Sequence, residues 1–453
     1  MKKQHQPHIR FSGMQAFRIL LFGQAISLLG TGMTRFAVMI WAFDQQGTAT
    51  ALALLGFFAC LTYVLVSPFA GVLVDRWDRR KVMILADLGS GVMTALMLAL
   101  FSFGRLEIWH LYLAEGLSGA FEAFQDPAFG ASISLIVPKE DYTRSNALLG
   151  VARSAARIFA PAFAGVLFEK VGLAPVMVID LLTMSLAVGS LRFVFLPAPE
   201  VSLEGRKAKG SFWHELRFGI TYIFSRPALR TLVFTFFLIN LFGTLTYFAV
   251  LSPMILARSG GDEVALGIVR TVMAAGGIVG GVLIGIWGGP QRKVKAYLYA
   301  TMLSFTVGDL LIAISRSTLG WSIAGFLAEL TIPFIVSPYF ALWQEIIPAD
   351  VQGKVFSTRD MFQILSQPFG YLAGGLLADY LFEPALQVGG VLTGVFGWLV
   401  GTGPGAGMST MFLFTFIGGV LIGVFGLLSP ALKGIDGEDI AAAEAHLELV
   451  SEA

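Results

Sequence analysis

Six charged side chains stand inside stretches of chain that are otherwise apolar, and their spacing suggests chemistry. Glu115, Glu122 and Asp126 are seven and four residues apart. On a helix turning 100° per residue, all three fall within about 40° of one face. Arg153 and Arg157 are four apart in a neighbouring run and share a face, and Arg35 lies well inside the first run. A charge at the centre of a membrane helix costs about 2.5–3.5 kcal/mol even on insertion scales, so such residues face protein or a water-filled cavity. A carboxylate beside an arginine in a low-dielectric cavity can gain or lose a proton as its surroundings change. Reversible protonation is therefore the chemistry on offer. Glu122 is the first candidate carrier and Asp126 the second, with Arg153 or Arg157 as partner. The competing reading is a permanent acid–arginine pair that locks two helices together.

The second half is less charged. Its polar groups in apolar surroundings are Asn240, Tyr247, Arg270, Arg359, Gln363 and Gln367. Positions 359, 363 and 367 make one helical stripe, and with Phe and Met nearby they could line a pocket for bulky, partly apolar ligands. Arg35, Glu115, Asn240, Tyr247, Gln363 and Gln367 are accordingly the substrate-cavity candidates. Arg359, close to a helix end, is expected to snorkel. Asp180 and Asp309 are read as structural.

Hydrolytic chemistry has one possible signature. Gly116-Leu117-Ser118-Gly119 fits the Gly-x-Ser-Gly pattern of intramembrane serine proteases, but that chemistry needs a histidine on another helix within reach of the serine. The five histidines are His5, His8, His110, His214 and His446. None lies inside another span, so Gly116–Gly119 reads as packing. No His-Glu-x-x-His and no P-loop occurs, and no cofactor, metal or nucleic-acid partner is expected. The run Gly401-Thr402-Gly403-Pro404-Gly405-Ala406-Gly407 reads as a turn or re-entrant hairpin, since a phosphate cradle needs a preceding strand. The single Cys60 reads as a small core residue.

The elements that position these groups follow from composition. Apolar residues are 56% of the 453-residue chain and charged residues 13%, against about 25% charged in ordinary soluble domains. A soluble core could not use this much apolar surface, so most of it must face lipid. Roughly 20 apolar residues cross a bilayer. Runs of that size lie near 16–43, 51–74, 82–103, 108–136, 146–168 and 174–196, then near 229–257, 264–288, 294–314, 320–347, 355–382 and 408–430. Sixteen Lys and Arg fall in the loops on one side and four on the other (Arg105, Lys170, Arg258 and Arg316). The positive-inside rule then places both termini in the cytoplasm. Residues 1–15 lack the pattern of a cleaved signal, so the first run is expected to be an uncleaved helix.

The fold class expected is all-α: a polytopic membrane protein of twelve transmembrane helices in two pseudo-symmetric six-helix bundles. These are 1–196 and 229–430, joined by a cytoplasmic linker at 197–228 and followed by a tail at 431–453. The duplication is visible in the chain. Gly71-Val72-Leu73-Val74-Asp75-Arg76-Trp77-Asp78-Arg79-Arg80-Lys81-Val82 returns roughly 210 residues later as Gly281-Val282-Leu283-Ile284-Gly285-Ile286-Trp287 and Gln291-Arg292-Lys293-Val294. Duplicated bundles are a common plan for secondary transporters. Within the linker, Phe212, Trp213, Leu216, Ile220, Ile223 and Phe224 recur at helical spacing, with His214, Glu215 and Arg217 opposite. This predicts an amphipathic helix in the inner membrane interface.

Gly71-x-x-x-Asp75-Arg76-x-x-Arg79-Arg80-Lys81 between spans two and three resembles the signature loop of the major facilitator superfamily. The resemblance implies an inner gate, in which an acidic residue faces a helix end and arginines face carboxylates. Asp75 would take the first role, with Gly71 in the motif, and Arg76, Arg79 and Arg80 the second. The family usually has Gly where this chain has Asp78, an extra carboxylate within reach of a neighbouring arginine. It also implies that spans one, four and five line a cavity while three, six, nine and twelve lie outside it. Phe124-Gln125-Asp126-Pro127-Ala128, Val137-Pro138-Lys139-Glu140, Arg144-Ser145-Asn146-Ala147 and Phe369-Gly370-Tyr371-Leu372-Ala373-Gly374 look like bacterial macrolide-efflux and enterobactin-exporter permeases. Ala156–Gly165 resembles the span-five motif of drug–proton antiporters, with Ala replacing several glycines. The implied function is export of amphipathic small molecules, macrolide-like drugs or related metabolites, by proton antiport. The protein would be a monomer in a bacterial inner membrane. Siderophore export, proton-coupled uptake and a membrane sensor on a transporter scaffold are the alternatives.

Overall fold

The computed structural model describes residues 11–46, 49–433 and 435. The chain divides into two compact units, Met1–Tyr222 with Ile347–Met361, and Ile223–Ile346 with Phe362–Ala453. The segment 347–361 thus groups with the first unit although it follows ten spans of sequence.

In the first unit the long helices are α1 (Gly13–Gln46), α2 (Ala49–Arg76), α3 (Arg79–Ser102), α4 (Ile108–Ile136), α5 (Tyr142–Val171) and α6 (Leu173–Arg192). The linker carries α7 (Leu203–Ala208) and α8 (Phe212–Ser225). In the second unit, α9 (Pro227–Gly243) and α10 (Leu251–Ser259) make one span, and α11 (Glu263–Trp287) makes the next. α12 (Lys293–Ser304) continues into α13 (Leu311–Ile314), and α14 (Thr318–Ile346) follows. α15 (Gln352–Leu377) begins in the first unit and runs on into α16 (Glu383–Leu386). The short α17 (Thr393–Val400) precedes α18 (Ala406–Leu428).

Ten helical stretches among the described residues are long and apolar enough to cross a membrane. α4 and α15, of 29 and 26 residues, have the length and are not among the ten. They carry Glu115, Glu122 and Asp126, and Lys354, Arg359 and Asp360. The exposed flank of α3 shows what the other helices present outward: Leu85, Leu88, Val92 and Leu96 form an apolar stripe for lipid.

Without a hydrophobic drive between helices in lipid, close backbone approach must hold the bundles. A Cβ on Gly119 of α4 would lie 2.2 Å from the carbonyl oxygen of Ala59 on α2. The Gly116–Gly119 run is therefore a packing surface. In the second unit, Cβ atoms on Gly276 and Gly280 of α11 would meet the carbonyls of Phe326 and Leu330 on α14 at 2.3 and 2.1 Å. The loop before α3 needs no glycine. Asp78 is extended (φ −61°, ψ 115°), and its carboxylate accepts the amides of Arg80 and Lys81 at 2.9 and 3.2 Å. The extra acid caps a helix instead of pairing with an arginine.

Three spans of the second unit are interrupted by single wide π turns, at Thr244–Phe248, Phe305–Leu310 and Ala378–Phe382. Two of them carry Tyr247 and Asp309. Asp309 accepts Tyr247 Oη at 2.9 Å and Thr415 Oγ1 at 2.6 Å, one donor per carboxylate oxygen. The first unit has a counterpart: Asp180 accepts Thr31 Oγ1 at 3.0 Å and Thr94 Oγ1 at 2.9 Å. Each acid ties three helices together, as buried polar groups must be satisfied where water is absent. The structural reading of both aspartates thus agrees with their contacts. Tyr247, expected in a substrate cavity, instead spends its hydroxyl on this clasp.

Candidate functional site

Two polar constellations stand out, both in the first unit. The first joins α1, α4 and α5. The Arg35 guanidinium donates from Nη2 to Glu122 Oε1, and its Nε lies 3.4 Å from Glu115 Oε2. Asp126, one turn along α4, pairs with Arg153 of α5 at 2.8 Å. The sequence expectation gave Glu122 an α5 arginine as partner, and the structure gives it Arg35 of α1. Arg157 is exposed and makes no ion pair among the described residues. The 7-and-4 spacing does bring the three carboxylates onto one face, but it divides them: two share one cation, and the third has its own. The Glu122 side chain is 43% exposed and that of Glu115 12%. α1 reaches this cluster because Gly32 lets it approach α5, where an added Cβ would stand 2.9 Å from that of Ala160. The antiporter-like stretch of α5 therefore serves as a packing face. Asp87, which the sequence reading passed over, accepts Gln24 Nε2 at 3.2 Å, and Gln125 donates to Gln24 at 3.1 Å.

The second constellation gathers the α2–α3 loop, α8 and residues 347–361. Asp75 is buried, and its two oxygens accept the amides of Gly353 and Lys354 at 2.7 and 2.9 Å. A carboxylate there satisfies orphan donors at the start of α15 and meets the positive end of its dipole. Gly71 makes room: a Cβ on it would lie 2.7 Å from the Gly353 carbonyl. Lys354 Nζ lies 3.5 Å from Asp75 and 3.3 Å from Glu215. Arg76 grips the Glu215 carboxylate with two hydrogen bonds, Nε at 3.2 Å and Nη2 at 2.8 Å. Arg79 is buried and spends its guanidinium chiefly on carbonyls, that of Ala131 at 2.8 Å and that of Ala349, with Asp75 at 3.8 Å. Of Arg80, the backbone amide binds Asp78. The linker is pinned a second time, where Ser202 donates its amide and hydroxyl to Asp350 at 2.8 and 2.7 Å.

Glu215 corrects the sequence picture of α8. It was placed on the polar face and is in fact buried, in line with Gly219 and Tyr222, while Trp213, Ile220 and Phe224 are exposed. The available signal was Gly219, one turn on, where a Cβ would meet the Lys354 carbonyl at 2.5 Å. Burial pushes the Glu215 carboxyl up. The Arg76 hydrogen bonds, the Lys354 charge and the Gly210 amide outweigh it and hold the group below its ordinary value. Its stabilisation is therefore complete above the ordinary carboxylate range and is lost as pH falls through the lowered folded value. Glu215→Gln should melt below the parent at neutral pH, with the gap starting to narrow near pH 4 and closing only below it. Melting curves across that range check this, and a gap independent of pH would remove the charge from the latch.

Along α15 and in the second unit the expected polar groups are largely spent within the protein. Arg359 does not snorkel: it is buried, 2.8 Å from Asp360, with its guanidinium 4.5 Å above the Phe356 ring. Asn240 donates to the Phe236 carbonyl of its own helix at 2.8 Å. Arg270 holds the Tyr247 carbonyl and the Ser252 hydroxyl. Gln367 is exposed, and Gln363 keeps a buried Nε2 without a hydrogen-bond partner among the described residues. In the second copy of the loop, where Gly285 replaces the acid, Lys293 pairs with Glu345 at 2.9 Å.

Comparisons with known proteins agree on kinship. Macrolide efflux protein A of Streptococcus pyogenes is 26% identical over 372 residues, covering 80% of this chain and 89% of that protein. Macrolide efflux protein A of Enterococcus faecalis is 27% identical over 329 residues, covering 71% and 98%. Among solved structures, a bacterial homologue of the iron transporter ferroportin superposes with a TM-score of 0.65 at 18% identity, over 91% of this chain and 100% of that one. The E. coli fucose:proton symporter gives 0.66 at 13% identity, over 92% and 99%. The family model described as Major Facilitator Superfamily matches residues 20–371. With the signature loop, the helix plan and this match in agreement, the chain belongs to the major facilitator superfamily.

Proposed function

We propose that the protein exports amphipathic small molecules of the macrolide-like class by proton antiport. It would work as a monomer in a bacterial inner membrane, with both termini on the cytoplasmic side. The observation that carries the coupling is the sharing of Arg35 between Glu115 and Glu122. One cation against two carboxylates leaves one negative charge that a proton can neutralise. Glu122, the more exposed of the two, is the carrier. Deprotonated, it holds Arg35; protonated, it releases the guanidinium to Glu115 alone, so binding a proton changes which helices are tied. Asp126 with Arg153 is a second, charge-balanced pair. On the second unit, the unpaired Gln363 amide and the exposed Gln367 offer hydrogen bonds to a large, partly polar ligand. Similarity to the two macrolide efflux proteins supports export and a macrolide-like cargo.

The test uses inside-out vesicles with an acid lumen and a panel of macrolides, lipophilic dyes and catecholate siderophores. Accumulation that collapses when the gradient is dissipated supports the reading and names the substrate class. Gradient-driven uptake seen only in right-side-out vesicles would reverse the direction.

A further inference from the structure

One end of the second unit carries a feature that neither coupling nor the latch uses. α10 closes there with Arg258, Arg316 lies in the turn before α14, and the segment 387–405 folds over both. Arg258, Arg316, Gly397, Trp398, Gly401 and Thr402 are among the residues lining a recess of about 610 Å³. Among the described residues its lining holds two arginines and no acid. Arg258 directs its donors to backbone carbonyls, of Gly405 at 3.2 Å, Ser315 at 3.5 Å and Val400. Arg316 is exposed and donates to the Leu399 carbonyl at 3.4 Å. Glu383, one of several acids at this end, stands near enough for its charge to act on Arg258 and gives its oxygens to the amides of Gly405 and Met408, at 3.2 and 2.9 Å. Among the described residues, neither arginine is ion-paired.

The segment that folds over the recess is apolar and exposed. Val388 and Val391, in the turns before α17, and Val395 and Trp398, on it, are 87%, 91%, 58% and 76% exposed, and Trp398 lines the recess. Four such side chains belong in acyl chains, and a tryptophan beside arginines marks the level of the headgroups. A cationic recess at that level complements a phosphodiester whose tails lie along the apolar segment.

We propose that this recess is a binding site for an anionic phospholipid. Arg316 meets the headgroup phosphate, Arg258 supplies fixed positive charge behind it, and the face of residues 388–398 lies against the acyl chains. In the orientation given by the loop charges, the lipid comes from the outer leaflet.

The experiment uses the full-length protein in phosphatidylcholine vesicles, doped with equal fractions of phosphatidylglycerol or phosphatidylcholine brominated on the acyl chains. The chain has eight tryptophans, so the emission of Trp398 is taken as the difference between the parent and Trp398→Phe. Brominated phosphatidylglycerol should quench it more strongly than brominated phosphatidylcholine. Arg316→Ala should reduce that preference about fivefold, the worth of one basic residue near an anionic surface, and Arg316→Lys should keep it. Equal quenching by the two lipids, no quenching by either, or an unchanged preference in Arg316→Ala would overturn the proposal. Loss of the preference on adding millimolar inorganic phosphate would also overturn it, by assigning the recess to a free anion.

Discussion

Asp75→Asn should depopulate the latched arrangement of the α2–α3 loop and α15 by about a hundredfold or more, and slow transport by a comparable factor. The asparagine keeps one acceptor oxygen but turns an NH₂ group toward an amide that the carboxylate had satisfied. It also leaves Lys354 and Arg79, both buried, without the anion they share. Removing one member of a buried ion pair costs about 3–5 kcal/mol, against about 1.4 kcal/mol per decade of equilibrium constant. A carrier that must pass through the latched state in every cycle slows as that state becomes rare. Cross-linking by a short thiol-reactive reagent between cysteines placed at Ser134 and Gln352 reads the population, in a chain with Cys60 replaced by Ala. The side-chain oxygens of these two residues stand 2.5 Å apart. Cross-linking as efficient in Asp75→Asn as in the parent would show that the carboxylate does not hold the latch.

Glu122→Gln should abolish accumulation driven by the proton gradient and leave substrate exchange between the two sides of a vesicle near the parental rate. Glutamine is close in size and stands in for the protonated acid, with Arg35 left to Glu115, so the site keeps its shape without the ability to bind and release a proton. Coupling energies of about 1–3 kcal/mol correspond to factors of about 5–150, so the driven component should drop below about a tenth of its value. Glu115→Gln removes the less exposed carboxylate and should impair driven transport less. Full gradient-driven export by Glu122→Gln would exclude Glu122 as the carrier. Loss of exchange along with it would point to a fixed structural pair.

Which parts of this picture could be read from the chain follows from the range of the forces involved. Span positions follow from composition, and the ends of α4 agree with the apolar run to the residue. That Asp75 meets the start of α15 could only be supplied by resemblance, since the two are far apart in sequence and nothing local marks the contact. Pairing between helices was less legible. Helical spacing shows which of Glu115, Glu122 and Asp126 share a face, but not which neighbouring helix presents the cation, and so Arg35 was passed over for Arg153 and Arg157. Glu215 was misplaced for a related reason: an amphipathic pattern assumes that a charged residue seeks water, whereas here it seeks Arg76 and Lys354. Arg359 follows the same rule, with a partner adjacent in sequence and hidden by the expectation that it would reach for the interface.

The two hydroxyl–aspartate clasps bear on how the halves diverged after duplication. Thr31 and Tyr247 stand on corresponding first helices, and Thr94 and Asp309 on corresponding third helices. Asp180 and Thr415 stand on the last helix of each half. The acid stands on the sixth helix in one half and on the third helix in the other, while each half has one acid and two hydroxyls. What the halves share is a stoichiometry at a place, without identity at any single position. A residue-by-residue comparison of the halves would score these positions as lost symmetry, although the same three-body constraint operates in each.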